Sequence, residues 1–258
     1  LEQKIKHSRL RHIFISHLHG DHYFGLIGLL SSLNLNHRTE PLTLIGPPGL
    51  SEIITVQLKY SYTSLHFPLH FIETNPEKTE QIYQHTLFTV TTFPLIHRVP
   101  CNGYLITTIP SKRKIIKENL PENFPIPYIH SLKEGIDVTD ELSGITYKVT
   151  DYTYPGEPPK RIAYCSDTAY YEAVVPVISQ ADLLFHEATF ANKEAERAKA
   201  TFHSTAAQAA TIAQKAAVKQ LIIGHYSSRY KELDTHLAEA QEIFTNTSLG
   251  LEGDTYRL

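Results

Sequence analysis

Apolar and polar positions follow two rhythms along this chain. The short apolar run Ile13-Phe14-Ile15, β-branched at both ends, reads as a buried strand that ends at Ser16 and feeds a loop, His17-Leu18-His19-Gly20-Asp21-His22. Beyond the loop, Phe24, Leu26, Ile27, Leu29, Leu30 and Leu33 recur at helical spacing, and the polar stretch from Asn34 to Thr39 predicts where that helix stops. A strand near Leu42 to Ile45 and a helix near Pro48 to Tyr60 continue the pattern. Between Leu87 and Thr92 the rhythm changes to period two, which predicts half-buried strands running into Leu95-Ile96-His97. Further strand signals lie at Tyr104 to Thr107, Arg161 to Tyr164, Leu183 to Phe185 and Leu221 to Ile223. An alanine-rich stretch from Thr205 to Ala217 opens with Thr205 and has Gln208 three residues on, the pattern of a capping box. Strands alternating with helices imply a layered α/β architecture.

The segment from about 110 to 160 departs from this alternation. It carries the run Ser111-Lys112-Arg113-Lys114, then Pro121, Pro125 and Pro127, and reads as an insertion on a single domain spanning residues 1–258. The chain has 258 residues, 41% of them apolar, enough for one sizeable core. Its net charge of −3 gives no global attraction to nucleic acid, so any RNA contact must come from local patches. The basic run Lys4, Lys6, His7, Arg9, Arg11, His12 reads as a solvated helix face. No apolar run reaches the length of about 18 residues needed to span a bilayer, so no membrane association and a cytoplasmic location are expected. Cys101 and Cys165 stand outside any CxxC spacing and read as reduced and structural. The sequence holds no methionine and starts at Leu1, which points to an absent N-terminal piece, to methionines missing from the sequence, or to both.

The chemistry concentrates in His17-x-His19-x-Asp21-His22. Imidazoles two residues apart point the same way only on extended backbone, which is how a strand end presents ligands. Imidazole and carboxylate without thiolate suit zinc, iron or manganese. A solvated histidine-rich loop is the bland alternative, and three histidines with an aspartate directly after a buried strand make it the weaker reading.

This HxHxDH loop resembles the hallmark of the metallo-β-lactamase superfamily, and four further stretches resemble its ribonuclease Z branch of tRNA 3′-processing endonucleases. They are Phe93-Pro94-Leu95-Ile96-His97, Ala163-Tyr164-Cys165-Ser166-Asp167-Thr168, His186-Glu187-Ala188-Thr189-Phe190 followed by His203-Ser204-Thr205, and Gly224-His225-Tyr226-Ser227-Ser228-Arg229-Tyr230. The resemblance implies an αββα sandwich, with further strands ahead of the HxHxDH loop that this sequence does not contain. It implies two Zn2+ per chain, with Mn2+ or Fe2+ as alternatives: His17, His19 and His97 on one ion, Asp21, His22 and His225 on the other, and Asp167 bridging both. It also implies a homodimer acting on precursor tRNA.

The HxHxDH loop alone would fit other hydrolases of the superfamily, so the branch rests on the HEATF and HST stretches. There the resemblance makes His203 the general acid, oriented by Glu187, while Asp21 orients or deprotonates the attacking water. Ser204 and Thr205 are expected to cap the following helix, whose first amides could face a phosphate. Arg229 either pairs with phosphate or braces a carboxylate. Lys112, Arg113, Lys114 and Lys117 are the cations expected to grip RNA, although the Gly-Pro tip of the family's tRNA-binding arm is missing. The remaining histidines, among them His37, His66, His70, His85, His130 and His236, read as surface or core residues. Two other functions compete: a small-molecule phosphodiesterase or arylsulfatase with the same site, and a non-catalytic RNA-binding protein that keeps the fold. A complete ligand set argues against the second.

Overall fold

The computed structural model describes residues 6–257. The chain divides into two compact units, Leu1–Ile106 with Arg161–Leu258, and Thr107–Lys160.

In the larger unit, β1 (His12–Phe14), β2 (Leu42–Gly46) and β3 (Leu69–Glu73) form a parallel three-stranded sheet in that order. A seven-stranded sheet contains β4 (Glu80–Gln84), β5 (Phe88–Leu95), β6 (Cys101–Thr108), β7 (Arg161–Cys165), β8 (Leu183–Glu187), β9 (Leu221–Gly224) and β10 (Thr247–Leu249), in the spatial order 10-9-8-7-6-5-4. Strands β7 to β10 are mutually parallel, and β4 is antiparallel to β5.

The buried side chains show how these sheets are layered. Ile45 of β2, Val90 of β5 and Tyr104 of β6 share one apolar cluster with Phe14, Ile72 and Ile82, so the two sheets pack face to face. Helices α1 (Gly20–Leu35) and α2 (Leu50–Tyr60) cover the other side of the small sheet, through Leu26, Leu30, Leu33, Leu50 and Ile54 against Leu42 and Leu44. Along the far side of the large sheet lies α4 (Ala206–Lys215), preceded by the short α3 (Ala195–Thr201) and followed by α5 (Asp234–Gln241). Ala206, Ala209, Ala210, Ile212 and Ala213 of α4 pack there with Leu184 and Leu221. The alanines let this helix approach the sheet closely, and each large apolar side chain fully buried contributes about 1.5–3 kcal/mol. The result is helix, sheet, sheet, helix: the αββα sandwich. No described helix is long and apolar enough to cross a membrane.

Most sequence-predicted elements are present within one or two residues. Strands β3, β4 and β10 and helices α3 and α5 carried no prediction; the mostly part-exposed faces of β3 and β4 lack a clean apolar alternation. The basic N-terminal run is not a helix face: His7–Arg9 forms one 3-10 turn, and the chain then enters β1. Lys4 lies outside the described residues. Cys101 and Cys165 are free and buried. His37, His66, His70, His85 and His130 are exposed, whereas His236 is fully buried beside the rings of Tyr226 and Tyr230.

The smaller unit has a helix, Ile126–Lys133, and two short antiparallel pairs, Lys114–Ile115 with Thr153–Tyr154 and Val138–Thr139 with Thr146–Tyr147. Leu132 is fully buried, and Phe124, Tyr128, Tyr147 and Tyr152 form a ring cluster. Two of the four cations singled out in its sequence are in ion pairs, and Lys117 makes none among the described residues. Lys112 pairs with Glu134, Lys114 with Glu157 at 3.3 Å, and Arg113 donates to Thr153 Oγ1 at 2.7 Å.

Candidate metal centre

The candidate residues come together because each follows the C-terminal end of a strand, the edge at which α/β sheets present their ligands. After β1, Ile15 donates to Ile45 O and Ser16 O accepts from Asn102 N, so the backbone is still pinned when it delivers His17. Helix α1 begins one residue past His19, which places Asp21 and His22 in its first turn, where the helix dipole favours a carboxylate. His97 lies two residues beyond β5, Asp167 two beyond β7, and Glu187 is the last residue of β8. His225 follows β9 in the left-handed region, with φ of 59°. That conformation costs a non-glycine residue on the order of 1–3 kcal/mol and is tolerated where surrounding structure enforces it.

Two groups of donor atoms result. His17 Nε2 and His97 Nε2 each lie 3.1 Å from His19 Nδ1, and 3.6 and 3.7 Å from Asp167 Oδ2. In the second group, Asp21 Oδ2 lies 3.4 Å from His22 Nε2 and 3.9 Å from His225 Nε2. Asp167 reaches this group as well, with Oδ2 at 3.4 Å from His22 Nε2 and Oδ1 at 3.3 Å from His225 Nε2. Four N or O donors around one tetrahedral ion at about 2.0–2.1 Å would stand roughly 3.3–3.4 Å apart. The observed spacings, from 3.1 to 3.9 Å, bracket that value. His22 Nε2 and Asp167 Oδ1 are buried without a hydrogen-bond partner, a costly arrangement that a cation between them would relieve. The donor set therefore fits one divalent ion in each group, with Asp167 shared.

The outward-facing ring nitrogens are held in turn. His97 Nδ1 donates to Phe202 O at 3.0 Å, His225 Nδ1 to Thr189 Oγ1 at 2.9 Å, and His17 Nδ1 lies 3.1 Å from Ser16 Oγ. Such contacts fix the tautomer that leaves the other nitrogen free to bind a metal. Burial is the main reason that the His17 pKa falls to about 3, so its ring is neutral, as a ligand must be. Burial works against charge on Asp167, but the contact with His22 and the surrounding histidines outweigh it and hold the carboxyl well below its usual range.

Glu187 and His203 form a second assembly beside the first. Glu187 is not a surface carboxylate: it is fully buried and accepts five hydrogen bonds. Its Oε1 accepts from Thr168 N, Ser204 N and His203 Nδ1 at 3.1, 2.9 and 3.0 Å. Its Oε2 accepts from Thr189 N and Thr189 Oγ1 at 2.9 and 2.8 Å. Burial disfavours charge on His203, yet the hydrogen bond and charge of Glu187 prevail and raise its pKa. His203 reaches this place because Phe202, at φ of 60°, ends α3 in the left-handed conformation and turns the chain into the site.

A family model described as a beta-lactamase superfamily domain matches residues 2–115 and 130–226. Over 237 residues the chain is 48% identical to the ribonuclease Z of Cytophaga hutchinsonii, covering 92% of this chain and 76% of that protein. Over 253 residues it is 45% identical to the ribonuclease Z of Bacteroides fragilis, covering 97% and 83%. The chain belongs to the ribonuclease Z family. Among solved structures, the short form of human tRNase Z matches with a TM-score of 0.63 and 25% identity, over 96% of this chain and 79% of that one. The metallo-β-lactamase fold protein YhfI of Bacillus subtilis matches at 18% identity with a TM-score of 0.62, over 95% of this chain and 77% of that one, which supports the fold alone.

Against this family background, two sequence expectations need correction. Thr205 does cap α4 through a full capping box with Gln208, but the Ser204 hydroxyl donates to Thr168 O instead. The amides at this helix start do not face a phosphate: Thr205 and Ala206 are fully buried, and their N–H groups donate to Gln208 Oε1 and Phe190 O. Arg229 is exposed and makes no ion pair among the described residues, so the carboxylate brace is not formed. Sequence reasoning also missed Thr189, the hydroxyl that links Glu187 to His225, and Arg98 and Arg197, which line the groove beside the site. Thr189 lies inside the HEATF stretch, so its position was the available signal. The arginines carried no motif.

Proposed function

We propose that this protein is a zinc-dependent endoribonuclease that removes the 3′ trailer from precursor tRNA. The observation that carries the reading is the Glu187–His203 pair set at the edge of two adjoining donor groups, because hydrolysis through metals alone needs no buried carboxylate orienting an imidazole outside them. Two divalent cations held by His17, His19, His97, Asp21, His22, His225 and the shared Asp167 would supply positive charge to a phosphodiester and a nucleophile drawn from water.

The protein side of the reaction follows from the geometry. Asp21, whose side chain is 72% exposed, stands at the open edge, where it can take a proton from water. With Nδ1 donating to Glu187, His203 presents its Nε2 proton to the substrate. As the new P–O bond forms and the P–O3′ bond breaks, His203 gives that proton to the departing 3′-oxygen, leaving a 3′-hydroxyl on the tRNA and a 5′-phosphate on the trailer. We place the enzyme in the cytoplasm as a homodimer.

The test is incubation of the protein, reconstituted with zinc, with a precursor tRNA bearing a defined trailer and, separately, with an aryl phosphodiester. Cleavage at the discriminator end with a 3′-hydroxyl product, abolished by chelation and restored by zinc, is the expected result. Hydrolysis of the aryl diester with no precursor cleavage would replace this reading with a small-molecule phosphodiesterase.

A further inference from the structure

Beside the metal-binding residues lies an open groove of about 210 Å³. His19, His97 and His203 line it together with Arg98, Arg197 and Phe190. No carboxylate lines this groove, and neither arginine makes an ion pair among the described residues. Arg197 is not loose, because its guanidinium lies 5.8 Å from the centre of the Phe190 ring, a cation–π contact that orients it. The backbone leading to Arg98 is pinned, because the His97 ring is tied to Phe202 O and Ile96 donates to Thr168 Oγ1 and accepts from Ala169 N, while Arg98 itself is exposed.

Two unpaired guanidiniums, that of Arg197 oriented against Phe190, stand next to a place for two cations and repel what lies beside them until an anion arrives. Cations in the two donor groups would already balance the scissile phosphate, so the arginines call for a second negative charge. Arginine forks match phosphate oxygens two at a time. The groove shares His203, which protonates the leaving 3′-oxygen, so the nucleotide lying in it is the one retained on the tRNA. We infer that Arg98 and Arg197 form a seat for the phosphodiester immediately 5′ of the scissile one, and so help to select a polynucleotide over a small phosphodiester. The inference rests on the proposed endonuclease function and adds the residues that read the chain on the leaving-group side.

The experiment compares the parent with Arg98→Gln/Arg197→Gln, both loaded with zinc, on three substrates: a precursor tRNA, the same precursor with one methylphosphonate at the 5′-flanking linkage, and bis(p-nitrophenyl) phosphate. The double variant is expected to lose about 10–100-fold in kcat/KM on the precursor, mostly through KM, the range for charge-assisted contacts. Its loss on the aryl diester should be at least tenfold smaller. The salt dependence of precursor binding should flatten by about 0.7–0.9 in log–log slope, one phosphate contact. In the parent, the methylphosphonate should reproduce the loss, and combining it with the double variant should add little. Arg98→Lys/Arg197→Lys should recover part of the affinity, and unchanged zinc content and melting temperature would show that the fold is intact. Equal losses on both substrates, or losses that multiply between variant and methylphosphonate, would overturn the inference. A parent that hydrolyses the aryl diester but not the precursor would instead overturn the proposed function, and the seat with it.

Discussion

Glu187→Gln is a change of one group that the structure makes costly at two levels. Both carboxylate oxygens are filled, with three donors on Oε1 and two on Oε2. An amide has one oxygen and one NH2 group, so whichever way it turns, an N–H faces a backbone N–H. The less damaging orientation points the NH2 at Thr189, whose hydroxyl can turn to accept, and leaves the Thr189 amide unpaired. An unpaired buried donor costs about 1–3 kcal/mol, and the remaining bonds weaken as the charge is removed. Part of this is offset because a neutral amide is cheaper to bury than a carboxylate. The net destabilisation is about 2–4 kcal/mol, which for a chain of this size is a fall of roughly 5–15 °C in Tm.

The same substitution acts on catalysis through the sign of the His203 shift. Glu187 raises the pKa of His203, and the protonated imidazole is the form that donates, so activity is lost as pH rises through that pKa. Without the charge the pKa drops, and the descending limb of the pH–kcat profile moves to lower pH. Calorimetry at fixed zinc concentration and a pH profile on precursor tRNA measure both effects. A variant with the parent's Tm and an unmoved limb would refute the five-bond description of Glu187 and its role in orienting His203.

Asp167→Ala is expected to lose both metals, because its two oxygens face both donor groups, whereas His97→Ala weakens mainly one; metal analysis after dialysis separates the two outcomes. His203→Ala should lower precursor turnover by about 10²–10⁴-fold with zinc content retained, and p-nitrophenolate release should be far less sensitive. Loss of metal in that variant would mark His203 as a ligand, a role its place beside Asp167 and His225 permits. Thr189→Val removes the acceptor for His225 Nδ1 and should weaken one metal by about 10–100-fold in a competition titration with a chelator. Replacing Lys112, Arg113 and Lys114 by Ala should flatten the salt dependence of precursor binding by less than one unit of log–log slope. A full contact at each would give about two, but Glu134 and Glu157 already face two of the three.

The candidate metal-binding residues, which the structure brings together, could be picked out in the sequence because metal chemistry restricts residue type and spacing together. Only imidazole and carboxylate donors at a strand end give His17-x-His19-x-Asp21-His22, and β1 does end just before it. The core helices were legible for a similar reason, as α1 keeps Leu26, Leu30 and Leu33 on one buried stripe. Strands β3 and β4 left no such trace, since an edge position lets their outward residues be polar on either rhythm. The five hydrogen bonds on Glu187 were hidden in a different way. Three of the donors are backbone amides, which every residue possesses, and their convergence depends on the register that pairs Glu187 with Gly224.

Arg98 and Arg197 expose the same boundary from the functional side. They lie 99 residues apart in sequence, one directly after a candidate metal-binding histidine and the other on a seven-residue helix, and either alone is an ordinary surface cation. What makes them a pair is the left-handed turn at Phe202, which brings His203 and the end of α3 against His97. That turn is enforced by contacts at both of its ends: Phe202 O accepts from His97, and Ser204 N donates to Glu187. The buried carboxylate that orients the proposed general acid therefore also anchors the segment carrying Arg197, so a substitution at Glu187 should relax the hold on the substrate as well as the proton donor. On that argument KM for precursor tRNA rises along with the fall in kcat in Glu187→Gln, whereas His203→Ala, which leaves the Ser204 N–H bond in place, changes kcat with KM held near the parent value.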